Sequence, residues 1–342
     1  MNTKTIAFFN CKKGVGKTSL VYHLAWMYDE LGYRVVAADL DPQANLSIMF
    51  LGDDRLEELW LQNSTISDSL QPIIQGLDDI SAPHLELVTD QLALLTGDIK
   101  LLQFESFLTE FWSTSLYSQD NLWLARLQAQ DNHRRKLAFQ LISALWKTMQ
   151  KAATEHEAHF ILIDLAPTLG AINLAALIAA DYIIVPMFLD FFALQALSSL
   201  GMALQTWKKQ WQVVLEQKHL LTDIELPFGK MEPIGYVMLR PVVRFDRPVK
   251  LYQDLLTRLP IDYQEKILNK PTNGNISIAN DPNCLDILKN YVGLMSMAQE
   301  AGKPMFHLKP ADGALGSYLK AAKDVYKEFA SLANAIAQRT QA

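Results

Sequence analysis

The sequence predicts an α/β protein: one large domain with a mostly parallel, twisted sheet covered by helices on both faces. Three observations carry this. Short apolar runs alternate with stretches of helical period along the chain, the order that builds a parallel sheet with helical crossovers. The first run, Ile6-Ala7-Phe8-Phe9, passes through a turn bearing glycine and lysine, Asn10 to Ser19, into a helix on which Leu20, His23, Leu24, Met27 and Leu31 recur at helical spacing. Two further apolar runs end in carboxylates: Arg34 to Ala38 leads to Asp39 and Asp41, and His159 to Ile163 leads to Asp164. Ligands of open α/β sheets sit outside the carboxyl ends of the strands, so the turn and these carboxylates are expected at one site. The domain is expected to span residues 1–342, with an enlarged, mainly helical region at about 51–157.

A strand, a glycine-bearing loop and a helix in that order form a phosphate-binding loop, whose backbone N–H groups and positive helix end face an anion. Gly16-Lys17-Thr18 fits the end of G-x-x-x-x-G-K-[ST], with Cys11 where the first glycine belongs. Lys13, Gly14, Val15, Gly16, Lys17, Thr18 and Ser19 are the expected phosphate-binding residues. Lys17 would reach the β- and γ-phosphates, and the Thr18 hydroxyl would ligate Mg²⁺. Asp164 would hold the Mg²⁺ shell through a water. Asp41 would orient a nucleophilic water or hold a metal-bound one.

The remaining elements follow in order. Gly32-Tyr33 stops the first helix. Leu85-Glu86-Leu87-Val88 alternates like a strand, and Leu94 to Asp98 reads as a turn into a helix beginning near Ile99. Phe111 to Asn132 has no clear period, and its aromatics read as packing; a helix is expected from about Arg134 to Glu155. Asn173 to Ala180 reads as a helix, Asp181 to Pro186 as a strand, and a long helix follows from Asp190 to about Gln217. Ile234 to Leu239 is a strand ending at Arg240, Asn269 to Asp281 a loop, and Lys303 to Leu308 the last strand. The final helix presents Leu319, Ala322, Val325, Tyr326, Phe329, Leu332, Ala333 and Ile336 on one face, which suits packing onto the sheet.

Composition narrows the class. Half of the 342 residues are hydrophobic, enough for a sizeable core, and no uncharged apolar stretch reaches the ~18 residues that would suggest a membrane span. The start, Met1-Asn2-Thr3-Lys4, runs directly into the first strand, so no signal peptide is expected. Cys11 and Cys284 are the only cysteines, one of them in the phosphate loop, which points to a reducing cytoplasm. A net charge of −6 does not suggest a strongly basic nucleic-acid binder. Arg244, Arg247 and Lys250 stand close together and read equally as DNA-phosphate contacts or as a solvated helix start.

On these residues the chain resembles the ParA/MinD-type ATPases, in their ParA-like partitioning branch. Their deviant phosphate loop reads K-G-G-x-G-K-[ST]; Lys12 matches its signature lysine, and Lys13 stands where that pattern has glycine. Asp39 to Asn45 resembles the family's D-x-D-P-Q-x-N. Asp164 to Gly170 resembles D-x-P-P-S-L-G, with Ala166 for the first proline. Asp190 to Leu197 resembles E-x-x-A-L-x-G-L. The resemblance implies an ATPase using ATP and Mg²⁺, which forms an ATP-dependent face-to-face homodimer. In it Lys12 would cross to the other subunit's nucleotide, and Asp41 would serve hydrolysis. It also implies a base site near Arg240 and Pro310, a partner protein that stimulates hydrolysis or is cargo, and nonspecific DNA. Between Leu285 and Gly302 only Lys289 is cationic, which speaks against DNA. The polar stretch Ala337 to Ala342 speaks against the membrane-bound branch. A second reading is a nucleotide-sensing regulatory subunit with little turnover and no DNA. A kinase or ligase would need an acceptor-binding motif, and none is visible. An iron–sulfur reductase needs more thiolates than two.

Overall fold

A computed structural model describes residues 3–77, 79–113, 132–188, 190–216, 224–240, 249–272, 274 and 276–341. In chain order the strands and longer helices are β1 (Lys4–Phe8), α1 (Lys17–Glu30), β2 (Val35–Asp39), α2 (Asn45–Leu61), α3 (Ile66–Ile74), β3 (Glu86–Leu87), β4 (Leu92–Leu95), α4 (Leu101–Ser113) and α5 (Asn132–Glu155). Then come β5 (Phe160–Asp164), α6 (Ala171–Ala179), β6 (Tyr182–Phe188), α7 (Phe191–Glu216), β7 (Glu232–Leu239), α8 (Val249–Asp262), β8 (Cys284–Leu288), α9 (Val292–Ala301) and α10 (Ser317–Thr340). The strands form one sheet in the order β3-β4-β2-β5-β1-β6-β7-β8, parallel except where the two-residue edge strand β3 runs antiparallel to β4.

Strands covered on both faces need apolar side chains on both, and the alternation divides them between two cores. Ala7, Val36, Ala38, Ile161 and Ile163 face a layer built from α3 to α8. Ile6, Phe8, Val35, Ala37 and Leu162 face α1, α9 and α10. The predicted stripe of α10 is buried at Ala322, Val325, Phe329, Leu332, Ala333 and Ile336, while Leu319 is half-buried and Tyr326 is exposed.

Register places the chemistry. Phe8 and Asp39 each pair with Asp164, so the phosphate loop leaves β1 at the level where β2 and β5 end in carboxylates.

Three expectations change. Leu94 and Leu95 belong to β4, and the helix starts at Leu101 instead of near Ile99; four fully buried residues carry no alternation to reveal a strand. The strand expected at Leu85 to Val88 shrinks to Glu86–Leu87. Lys303 to Leu308 is not a strand. Pro304 opens a tight 3₁₀ turn, Met305–His307, and the last strand is β8, paired with β7.

Candidate phosphate-binding site

The loop between β1 and α1 is held from below by Asn10, which is buried. Its Nδ2 donates to the Pro186 carbonyl at 2.8 Å, and its Oδ1 accepts the Lys12 N–H at 3.0 Å. Cys11 sits on α7, with Sγ 3.6 Å from the Ala196 carbonyl, and burial pushes its thiol pKa up. At Gly16 the backbone enters α1 with φ of 79°, a conformation that favours glycine, and a Cβ there would stand 2.5 Å from Leu239 Cδ1, so that side chain would have to shift. The first amides of α1 have no carbonyl partner within the helix and face the anion site.

Lys13 to Ser19 line one wall of a cleft of about 1150 Å³, and Asp41 and Leu165 to Thr168 line others. Lys17 is buried at the loop, with Nζ donating to the Asn10 carbonyl at 3.2 Å. Burial pushes its pKa down, while the carboxylates of Asp164 and Asp41 hold it up.

Asp164 lies beneath, fully buried, and neither carboxylate oxygen has a hydrogen-bond partner. Burial raises its pKa above the carboxylate range, and the neighbouring Asp39 carboxylate raises it further. Thr18 and Lys17 act the other way, the Thr18 hydroxyl from outside hydrogen-bonding geometry. An orphaned buried carboxylate beside a threonine hydroxyl is a donor set that fits Mg²⁺ with its water shell. Among the described residues no three His, Cys, Asp or Glu side chains group as a metal cage.

Asp41 is buried at the cleft wall, with its Oδ1 accepting the Gln43 N–H at 3.0 Å. Asp39 has a different task, which the sequence did not reveal. Its Oδ2 accepts from the Ser47 N–H and hydroxyl at 2.8 and 2.7 Å, and its Oδ1 accepts the Asp41 N–H at 3.2 Å. It therefore fixes the turn that presents Asp41. The doubled aspartate of Asp39-Leu40-Asp41 is the only local sign of this division.

Lys12 does not line the cleft. Its Nζ pairs with Asp190 Oδ2 at 2.5 Å and lies 5.3 Å from the Phe188 ring. Arg240 ends β7, its N–H donating to the Leu288 carbonyl, and Pro310 begins a 3₁₀ turn. Neither lines the cleft, whereas Met295, Gln299 and Lys303 do. Arg244 and Arg247 lie outside the described residues, and Lys250 falls in the first turn of α8. No helix among the described residues is long and apolar enough to cross a membrane.

These features define a nucleotide-binding α/β protein of the phosphate-loop class. The AAA domain family matches residues 3–217, and the chain belongs to it. The likeness to ParA/MinD-type ATPases holds within that family. The chain is 24% identical to the sporulation initiation inhibitor protein Soj of Bacillus subtilis over 279 residues, 82% of this chain and 92% of Soj. It is 27% identical to the cell division protein PomZ of Myxococcus xanthus over 221 residues, 63% of this chain. That match spans little more than half of PomZ's own length, 56%. A plasmid partition protein from Borrelia burgdorferi, solved with AMPPNP bound, shares the fold with a TM-score of 0.56 at 18% identity, covering 99% of this chain and 100% of that one.

Proposed function

We propose that the chain is an ATP-driven switch of the ParA kind. It binds ATP and Mg²⁺ at the phosphate loop, dimerises face to face around ATP, and hydrolyses it to ADP and phosphate to position DNA or other cargo. The AMPPNP held by the Borrelia protein and the partition, division and sporulation roles in the relatives' names support this reading.

Phosphoryl transfer asks mainly for positioning and charge neutralisation. The α1 amides and Lys17 hold the phosphates. Thr18 and Asp164 would hold Mg²⁺, which would supply positive charge against the phosphate oxygens. Asp41, held in place by Asp39, orients the attacking water. A cation supplied by a second subunit can add ~10³–10⁵ in rate, and Lys12 is that cation.

The observation that carries the dimer is the placement of Lys12: its ammonium is turned out of its own cleft and paired with Asp190. A lysine serving its own nucleotide would duplicate Lys17. Slow, partner-stimulated turnover and DNA contact through Arg244, Arg247 and Lys250 complete the proposal. The test is ATP turnover with and without long duplex DNA and Mg²⁺ at low salt. Stimulation by DNA, with affinity falling steeply as salt rises, supports the switch. ATP binding without DNA affinity or turnover would instead favour a nucleotide-sensing subunit.

A further inference from the structure

Glu105 reaches from α4 to the start of α6. Its Oε1 accepts the Ala171 N–H at 2.6 Å, and its Oε2 accepts the Ile172 N–H at 2.7 Å. A carboxylate there satisfies two amides that a helix start leaves unpaired and sits at the positive end of the helix dipole. The approach is so close that a Cβ at Gly170 would collide with Glu105 Oε1.

The same segment is tied from its other side. Asn173 is buried, and its Nδ2 donates to the carbonyls of Ala166 at 2.7 Å and Thr168 at 2.6 Å. Glu105 and Asn173 thus bracket residues 165–170, the link between Asp164 and α6. Leu165 to Thr168 of that link form a wall of the cleft, and α4 also contributes Leu102 to the lining. One carboxylate on α4 is therefore joined to the cleft wall that follows the metal-facing aspartate.

We infer that Glu105 is a positioning residue for the phosphate end of the cleft. It sets where the wall from Leu165 to Thr168 stands against the phosphate loop. Discrimination between tri- and diphosphate, and hydrolysis, then depend on a residue from the enlarged region at 51–157. The inference rests on the nucleotide-binding reading above. A helix cap that only stabilised the fold would weaken all nucleotides alike; a positioning group acts on the third phosphate.

The test uses the full chain with Glu105→Ala and Glu105→Gln, measuring affinity for Mg-ADP and Mg-AMPPNP, ATP turnover, and amide hydrogen exchange over residues 165–172. With two charge-assisted hydrogen bonds lost, Glu105→Ala is expected to keep ADP affinity within about twofold and to lose about tenfold in both AMPPNP-over-ADP preference and turnover. Glu105→Gln keeps one carbonyl acceptor but turns an NH₂ toward the second amide, so it should fall between, and it decides the matter if Glu105→Ala does not fold. Equal losses for ADP and AMPPNP, or no change in either, would overturn the inference. If the unaltered chain binds neither nucleotide, the functional reading fails, and exchange judges Glu105 alone. Exchange about tenfold faster in Glu105→Ala over the wall at 165–170, beyond the two capped amides, upholds the positioning; faster exchange confined to Ala171 and Ile172, the mark of a lost cap alone, or unchanged exchange refutes it.

Discussion

Lys12 Nζ lies 2.5 Å from Asp190 Oδ2, and the other oxygen of that carboxylate accepts the Phe192 and Ala193 N–H groups at 3.0 Å each. Asp190 thus caps α7 and holds the lysine at once. The pair is partly exposed, with side chains 18% and 28% accessible, so it is worth on the order of 1 kcal/mol or less. A polyphosphate from a second subunit offers more charge, and Lys12 can leave without unmaking the cap.

Asp190→Asn keeps a capping side chain but removes the charge that holds Lys12. Loss of a pair of this strength in each of the two subunits should tighten ATP-dependent dimerisation up to about thirtyfold. Sedimentation across a concentration series measures it; weaker dimerisation would show that Asp190 assists the dimer instead of holding Lys12 back.

Lys17→Ala removes the buried cation that stands beside two carboxylates and is proposed to meet the phosphates. Truncating one partner of a buried charge pair costs about 2–5 kcal/mol, so affinity for Mg-ATP should fall at least about thirtyfold. Titration calorimetry finding wild-type affinity would refute the loop assignment.

Asp41→Ala should bind ATP within a few-fold of wild type and hydrolyse it about a hundredfold more slowly, the range for losing a positioned acid–base group. Dimers should then persist after ATP addition. Normal phosphate release by this variant would remove Asp41 from the mechanism.

His23 predicts a pH dependence of folding. It is fully buried: its Nδ1–H donates to the Ser19 carbonyl at 2.7 Å, and its Nε2 accepts the Met305 N–H at 3.1 Å. Burial lowers its pKa to about 4, from 6.5. The unfolded chain therefore binds the proton more readily between these values, and stability present above pH 6.5 is lost as pH falls toward 4. Between pH 6.5 and 5 this amounts to about 2 kcal/mol. Urea denaturation should show that loss, and His23→Asn should show a shallower slope; parallel slopes would exclude His23 as the source.

The site was legible where its signal is local. Gly16, Lys17, Asp41 and Asp164 were readable because a phosphate loop and a strand-end carboxylate are written in consecutive residues. Asp39 and Glu105 were not, since their partners, Ser47 and the α6 amides, lie 8 or more residues away and follow no fixed spacing. The same limit applies to the fold. The central strands β1, β2 and β5 announce themselves by apolar runs that end in chemistry. β4 is four buried residues without a period, and β8 carries Asp286 among its five. Lys303 to Leu308 reads as a strand from its apolar residues, but Met305 and Leu308 are buried three apart on one core, the spacing of a turn packed on α1 and α10 instead of a strand's two.

Mixing two inactive variants shows whether the lysine acts across a dimer. Lys12→Ala keeps its own Asp41 but lacks the crossing cation; Asp41→Ala carries an intact Lys12 but cannot orient water. ATP turnover is measured for each alone and for equal mixtures. Near-background rates are expected separately and a rate above their sum in the mixture, because each mixed dimer holds one complete site. A mixture no faster than the sum, or a Lys12→Ala protein that dimerises and hydrolyses ATP as wild type does, would contradict a lysine acting across the dimer.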